Sequence, residues 1–315
     1  MNILITGATG FVGGHLCVEL IQKKHQLLLA VSSLCDFKFP STQIVVPEFN
    51  NFTISPEVLA GIDVVIHLAA RVHVMDEQSS DPFKAFLEVN LHGTINPARQ
   101  AAAAGVKRFV YVSSIKVNGE YTENKPFDEA DLANPQDPYA VSKWKAEQAL
   151  RQLSEETGME VVVIRPPLVY GPRVKANFLH LFTVVNKSVP LPLACIHNQR
   201  SMIYVGNLVD AIITCATHPK AANQTYLVSD GESVSTPQLI RNIAQALGKR
   251  IFLLPFPLSM MKFLARLVGK ATAIDRLTQS LVIDNSKIRQ ELDWTPPFTM
   301  TQGLKVTADW YKNQK

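Results

Sequence analysis

Cysteine is scarce. Cys17, Cys35, Cys195 and Cys215 lie far apart and form no CxxC pair, which argues against a zinc site or a disulfide framework and fits a reducing compartment. Charge of one sign is also missing: 31 Lys and Arg against 27 Asp and Glu leave a net +4. No run of consecutive basic residues could track a phosphate backbone, so nucleic acid is not an expected partner. Long hydrophobic runs are absent too. The most apolar stretch, IFLLPFPLSMMKFLARLVGK at 251–270, is broken by Pro255 and Pro257 and carries Lys262 and Arg266. It falls short of the roughly 18 uninterrupted apolar residues of a membrane span, so stable insertion is not expected. Met260, Met261, Leu264, Leu267 and Val268 share one helical face there, which suits a core or subunit-contact helix better than one lying on a bilayer surface. The first residues run straight into an apolar, strand-like stretch with no basic start or cleavage site, and a cytoplasmic location is expected.

What is present is a chain of 315 residues with 47% hydrophobic composition, enough for a sizeable core. Its first half alternates short β-branched runs with longer helical stretches, the pattern of a parallel sheet wound by crossover helices. Strands are expected at Ile3 to Thr6, Leu27 to Ser32, 43–49, 63–70, 108–114 and 160–171. Helices are expected from His15 to Lys24, over 81–105 with a bend at Pro97 and a C-terminal Gly105, and over 137–158 closed by Gly158. After Gly171 the alternation gives way to prolines, isolated aromatics and short helices, which suggests a smaller second lobe. Residues 200–218 and 224–230 read as strand, helix and strand returning to the first sheet. The expected division is therefore 1–171 plus about 200–230 for one domain, and about 172–199 plus 231–315 for a smaller α/β C-terminal substrate lobe.

The stretch ITGATGFVGGHL, residues 5–16, sets Gly7, Gly10 and Gly13 at the first strand-to-helix junction. A helix N-terminus offers unpaired N–H groups and a positive dipole end, so a strand, a bare turn and a helix together make an anion site. Glycine at 7 and 10 lets the backbone approach a pyrophosphate, and Gly13 allows close contact of helix and strand. Together with the backbone of Phe11 and Val12 they form a candidate dinucleotide site in a Rossmann-like, doubly wound α/β sheet. The ribose-reading residue is expected about 20 residues further on. Ser32 and Ser33 stand there, with neither an acidic residue for a free ribose nor an arginine for a 2′-phosphate. NAD is the expected cofactor, with NADP left open.

In PYAVSKWKAEQ, Tyr139 and Lys143 stand at i and i+4, on one helix face. A neighbouring cation lowers the pKa of a phenol, ordinarily about 10, toward a range useful for proton transfer. Ser114, ending the FVYVSS run, is placed to hydrogen-bond the same substrate oxygen.

Taken in order, the glycine loop, HLAA, NLHGT, YVSS and YAVSK resemble the extended short-chain dehydrogenases/reductases acting on sugar nucleotides. The resemblance runs from Ile3 to about Pro297 and is closest to the UDP-glucose 4-epimerase-like branch, which also holds 4-keto reductases used in surface polysaccharide synthesis. It implies Tyr139 as catalytic base, Lys143 as the lysine that lowers its pKa and holds the nicotinamide ribose, and Ser114 beside the reacting oxygen. Asn90 matches an asparagine supporting the cofactor side, Ala69 and Ala70 the strand end lining the cofactor, and Glu48 the neighbourhood of an adenine-binding aspartate. Arg200 matches an arginine holding the sugar nucleotide's pyrophosphate, Asn177 a contact to the diphosphate, and Arg276 a second phosphate arginine. The resemblance also implies a homodimer, paired through helices 81–105 and 137–158.

Dehydratases of this family carry an Asp-Glu pair directly after the strand-end Ser or Thr; here those places are Ile115 and Lys116. Elimination of water needs a donor and a base beyond the tyrosine, so the departure argues against dehydration. Two reactions use the remaining set equally: C4 epimerisation of a UDP-hexose or UDP-N-acetylhexosamine through a transient 4-keto sugar, and NAD(P)H-dependent reduction of a UDP-N-acetyl-4-keto-6-deoxyhexosamine. Lys116 and Asn118 are expected to shape the sugar pocket. An acceptor on a polyprenyl diphosphate is a further option raised by residues 251–270. A catalytically silent dinucleotide sensor is the rival of another class, disfavoured by the intact Ser, Tyr and Lys set.

Overall fold

The structure, a computed structural model, describes residues 1–48, 53–72, 81–267, 269 and 271–314. Along the chain, β1 (Asn2–Thr6) leads into α1 (Phe11–Gln22), β2 (Gln26–Val31), β3 (Thr42–Val45), α2 (Pro56–Leu59) and β4 (Val64–His67). Then come α3 (Pro82–Leu87), a π-helical segment (Glu88–His92), α4 (Gly93–Ala103), β5 (Arg108–Val112), a 3-10 turn (Ile115–Val117) and α5 (Pro138–Thr157). β6 (Glu160–Arg165), β7 (Leu168–Tyr170), α6 (Ala176–Asn186), β8 (Arg200–Tyr204), α7 (Val205–Thr217) and β9 (Thr225–Leu227) follow. The chain ends with β10 (Ser233–Val234), α8 (Thr236–Leu247), α9 (Leu258–Leu267), α10 (Ala271–Thr278), α11 (Ser286–Leu292) and α12 (Met300–Lys312).

Seven parallel strands form one sheet in the order β3-β2-β1-β4-β5-β6-β9. Both faces are buried, and successive residues of a strand enter different cores. Ile3 and Ile5 of β1 join one cluster with α1 and α7, while Leu4 joins the other with α4 and α5. That is why these strands read as unbroken apolar runs rather than alternating ones. The order reverses between β1 and β4, and the crevice beyond the carboxyl ends at such a switch point is where sheets of this class bind ligands.

Several expectations need correction. Residues 200–204 do not return to the first sheet. β8 pairs with β7 in parallel and with β10 antiparallel, making a separate three-stranded sheet; only β9 rejoins the main one. The run 160–171 is two strands, divided at Pro166 and Pro167, where ladder N–H donors are missing. The first helix starts at Phe11 rather than His15, so its N-terminus opens directly on the glycine turn. The helix over 81–105 contains Pro97, as expected, but its irregularity is the π segment ahead of that proline. Gly105 and Gly158, at φ +80° and +75°, follow their helices as read from the sequence.

The apolar face of 251–270, expected to serve a core or a subunit contact, is divided within one chain. Met261 is buried, whereas Met260, Leu264 and Leu267 are exposed, because α9 packs chiefly on α10. Val268 lies outside the described residues. No helix among the described residues is long and apolar enough to cross a membrane.

Candidate active site

Two loops at the switch point bring the candidate cofactor residues Gly7 and Ala69 together. Gly7 has φ +76°, and a Cβ there would stand 2.7 Å from the Ala69 nitrogen. Its bareness is demanded first by the passing β4 strand end. A Cβ on Gly13 would meet the Gly7 carbonyl oxygen at 2.2 Å, so helix and strand touch as anticipated, whereas one on Gly10 would meet only that oxygen, at 3.1 Å. No side chain caps α1; the first-turn N–H groups of Phe11, Val12 and Gly13 are thus available to an anion. Ser32 and Glu48 are exposed just beyond β2 and β3, along the same carboxyl edge, and Ala69 and Ala70 are half-buried beyond β4.

A buried polar chain joins this edge to the candidate catalytic helix. His67 meets the Thr6 hydroxyl through Nδ1 at 2.9 Å and the Thr94 hydroxyl through Nε2 at 3.0 Å. The Thr94 hydroxyl donates to the Asn90 carbonyl at 2.8 Å. Asn90, itself fully buried, donates to the Ser142 hydroxyl at 2.9 Å, and Ser142 donates to the Tyr139 carbonyl at 2.7 Å. Asn90 also holds both backbone groups of Arg71, accepting from its N–H at 2.8 Å and donating to its carbonyl at 3.0 Å. Burial drives His67 down to about 3, with Lys143 contributing, so the ring is neutral.

Tyr139 sits in the first turn of α5, behind Pro138 and the N-cap Asp137, whose carboxylate accepts from the Ala140 N–H at 2.7 Å. Burial pushes the phenol up to about 12, with Ser114 opposing the rise and Asp137 adding to it. The expected lowering by Lys143 is not what this structure shows. The Lys143 ammonium donates to the Val112 carbonyl at 2.8 Å and lies 4.5 Å from the Tyr111 ring centroid, so it is turned toward β5. Burial brings its own pKa down to about 7, with Glu147 opposing.

On the expected substrate side, Arg200 donates from Nη1 to the carbonyls of Arg276 at 2.9 Å and Gln279 at 3.2 Å, so the two candidate phosphate arginines are neighbours. Arg276 is exposed, and Asn177 stands exposed in the first turn of α6. The Lys116 ammonium is held by two carboxylates, Asp137 at 2.5 Å and Glu120 at 2.9 Å. Asn118 is buried, accepting from Arg165 Nη1 at 2.9 Å and donating to the Asp128 carbonyl at 2.9 Å. Sequence reasoning missed His67, Thr94, Asp137 and Glu120. Asp137 had a local signal, an N-cap acid directly before a proline, and His67 and Thr94 stand inside the HLAA and NLHGT motifs; Glu120 carried none.

Residues 3–229 match the NAD dependent epimerase/dehydratase family. The chain belongs to that family. NAD is accordingly its cofactor, and the uncapped helix start over Gly7, Gly10 and Gly13 fits the pyrophosphate of such a group. This family member is 45% identical over 309 residues to a UDP-glucose 4-epimerase of Vibrio cholerae, covering 98% of this chain and 94% of that one. It is 28% identical over 323 residues to an N-acetyl-alpha-D-glucosaminyl-diphospho-ditrans,octacis-undecaprenol 4-epimerase of Escherichia coli O157:H7, covering 98% and 95%. The structure of a UDP-glucose 4-epimerase of Thermotoga maritima with UDP-glucose superposes with a TM-score of 0.78 at 22% identity, covering 100% and 99%, a likeness of fold.

Proposed function

We propose that this enzyme is a UDP-sugar 4-epimerase, acting on a UDP-hexose or UDP-N-acetylhexosamine by transient oxidation at C4. The observation that supports the reading is Ser114 hydrogen-bonded to the Tyr139 phenol, with Lys143 one turn along the same helix and Ile115 and Lys116 where a dehydrating acid pair would stand. The 45% identical 4-epimerase supports it. Tyr139 Oη takes the proton of the 4-hydroxyl and later returns it, while the Ser114 hydroxyl orients that oxygen. Lys143, one helical turn beyond Tyr139, holds the ribose. When bound, oxidised NAD supplies the hydride acceptor and a positive charge. Arg200 and Arg276 hold the diphosphate, with Asn177 beside it, and Asn90, Ala69, Ala70, Ser32 and Glu48 line the dinucleotide. In the same reading residues 1–171 with about 200–230 bind the dinucleotide, residues 172–199 with 231–315 bind the sugar nucleotide, and the enzyme is a cytoplasmic homodimer paired through the helices of 82–103 and α5.

NMR of the purified protein with UDP-glucose, UDP-galactose and their N-acetyl analogues, one at a time with NAD, tests the activity. Appearance of the C4 epimer without net NAD reduction establishes it and names the sugar. Unchanged sugars together with NADH or NADPH consumption on a UDP-4-keto-6-deoxy sugar establish the reductase instead, and no turnover on either establishes the silent binder. A monomeric mass by light scattering at micromolar concentration refutes the dimer.

A further inference from the structure

Lys116 occupies a place that the reaction, as derived above, leaves without a task. Its backbone N–H donates to the Ser114 hydroxyl at 3.3 Å, so Ser114 caps the very turn that Lys116 belongs to. Its ammonium crosses to α5 and holds Asp137 Oδ2 at 2.5 Å. The other oxygen of that carboxylate, Oδ1, accepts the Ala140 N–H at 2.7 Å and so caps the helix turn carrying Tyr139. One lysine therefore links the segment presenting Ser114 to the segment presenting Tyr139. A second carboxylate, Glu120, shares the ammonium at 2.9 Å, and its charge also acts on Arg200.

We propose that Lys116 is a positioning residue of the reaction: it fixes the Ser114 turn against the start of the catalytic helix and cancels the Asp137 charge two residues before Tyr139. This rests on the reading of Tyr139 as the proton-transfer group. Ion pairs exposed to this degree, about a third for each partner, add little to stability, so the consequence falls on the phenol. An uncompensated carboxylate near a phenol disfavours its ionised form, and removal of that carboxylate favours it. Among the described residues, the charge bearing on Tyr139 from its own helix is Asp137, with Lys143 and Glu147 further along that helix. On the turn side Lys116 pairs with Asp137 and Glu120, with Arg200 behind Glu120. From β5 comes the buried Tyr111 hydroxyl, and Arg71 lies over the Phe86 ring, which meets Tyr139 edge-on. His67 is neutral and carries no charge to it.

The test compares Lys116→Met, Lys116→Arg, Asp137→Asn and the double variant Lys116→Met with Asp137→Asn. Methionine keeps the stem of a half-exposed lysine, and asparagine is as good an N-cap as aspartate, so these proteins are expected to fold. The ascending limb of kcat/KM against pH should move to higher pH by about one unit in Lys116→Met and to lower pH in Asp137→Asn. Lys116→Arg should restore the wild-type limb, and the double variant should fall between the two single variants, since one substitution removes a positive charge and the other a negative one. Near neutral pH, kcat of Lys116→Met should fall about tenfold with KM little changed. Tyrosinate absorbance of the NAD-loaded proteins, with the Tyr139→Phe titration subtracted, reads the same shifts without any sugar, so a failed epimerase assay leaves this test intact. Unmoved titrations in both single variants, or movement of both in one direction, would overturn the proposal and leave Lys116 a surface contact.

Discussion

A Cβ placed on Gly13 would lie 2.2 Å from the Gly7 carbonyl oxygen, inside any van der Waals contact, while one placed on Gly10 would meet that same oxygen at 3.1 Å. The three glycines of the loop therefore answer to different constraints. Gly7 and Gly13 are required by the fold itself, and Gly10 is the one whose open side faces the helix N-terminus.

This difference predicts different failures. Gly13→Ala should lose about 3 kcal/mol or more of stability, since neither the turn nor the helix can give way by an ångström. Gly10→Ala should keep near wild-type stability and lose NAD affinity. Thermal unfolding of the two apoproteins, followed by NAD titration monitored by tryptophan fluorescence, separates the cases.

Tyr139→Phe should lower turnover by roughly 100- to 10,000-fold, the range of general acid-base groups, and leave NAD binding intact. Isothermal calorimetry with NAD alongside the turnover assay checks both halves. Loss of NAD binding would mean that the substitution disturbs the cofactor side rather than the proton transfer.

Stability should fall in acid on account of His67. Its folded pKa, about 3, lies below the ordinary 6.5, so below pH 6.5 the unfolded chain takes up a proton that the native ring refuses. The stability this group contributes is complete above about pH 6.5 and is lost as pH falls toward 3, at up to about 1.4 kcal/mol per pH unit. Urea unfolding at pH 7 and pH 5 should show a smaller difference for His67→Gln than for the wild type.

The Glu147 carboxylate, fully buried on α5, accepts from Arg165 Nε at 3.0 Å and Nη2 at 2.5 Å and from the Ser113 hydroxyl at 2.5 Å. Glu147→Gln leaves the guanidinium of Arg165 buried without its counter-charge and should cost about 3 kcal/mol or more. Glu147→Leu combined with Arg165→Met should recover a substantial part of that loss, because neither charge remains to be desolvated. Chemical denaturation of the two proteins decides the matter.

Much of the fold was legible because its signals are local. β-branched runs with both faces buried, glycines closing helices at 105 and 158, and a Tyr-Lys pair one helical turn apart can be read without knowing what packs against them. The destination of β8 was not legible: a five-residue strand, RSMIY, suits either sheet, and its pairing with Leu168–Tyr170 depends on a partner across the chain. The partners of Asn118 were not legible for a similar reason, since the Asp128 carbonyl and Arg165 lie 10 and 47 residues away.

The order and chemical type of the parts were determined by the amino-acid sequence alone: a glycine turn at the first crossover, a serine at a strand end, and a tyrosine and lysine spaced to share a helix face. Tertiary structure decided how those parts are charged and held. Burial, which no spacing reveals, raises the Tyr139 phenol and lowers Lys143. The ties that join Lys116 to Asp137 and His67 to Thr94 span 21 and 27 residues, and only chain folding brings such groups within hydrogen-bond reach.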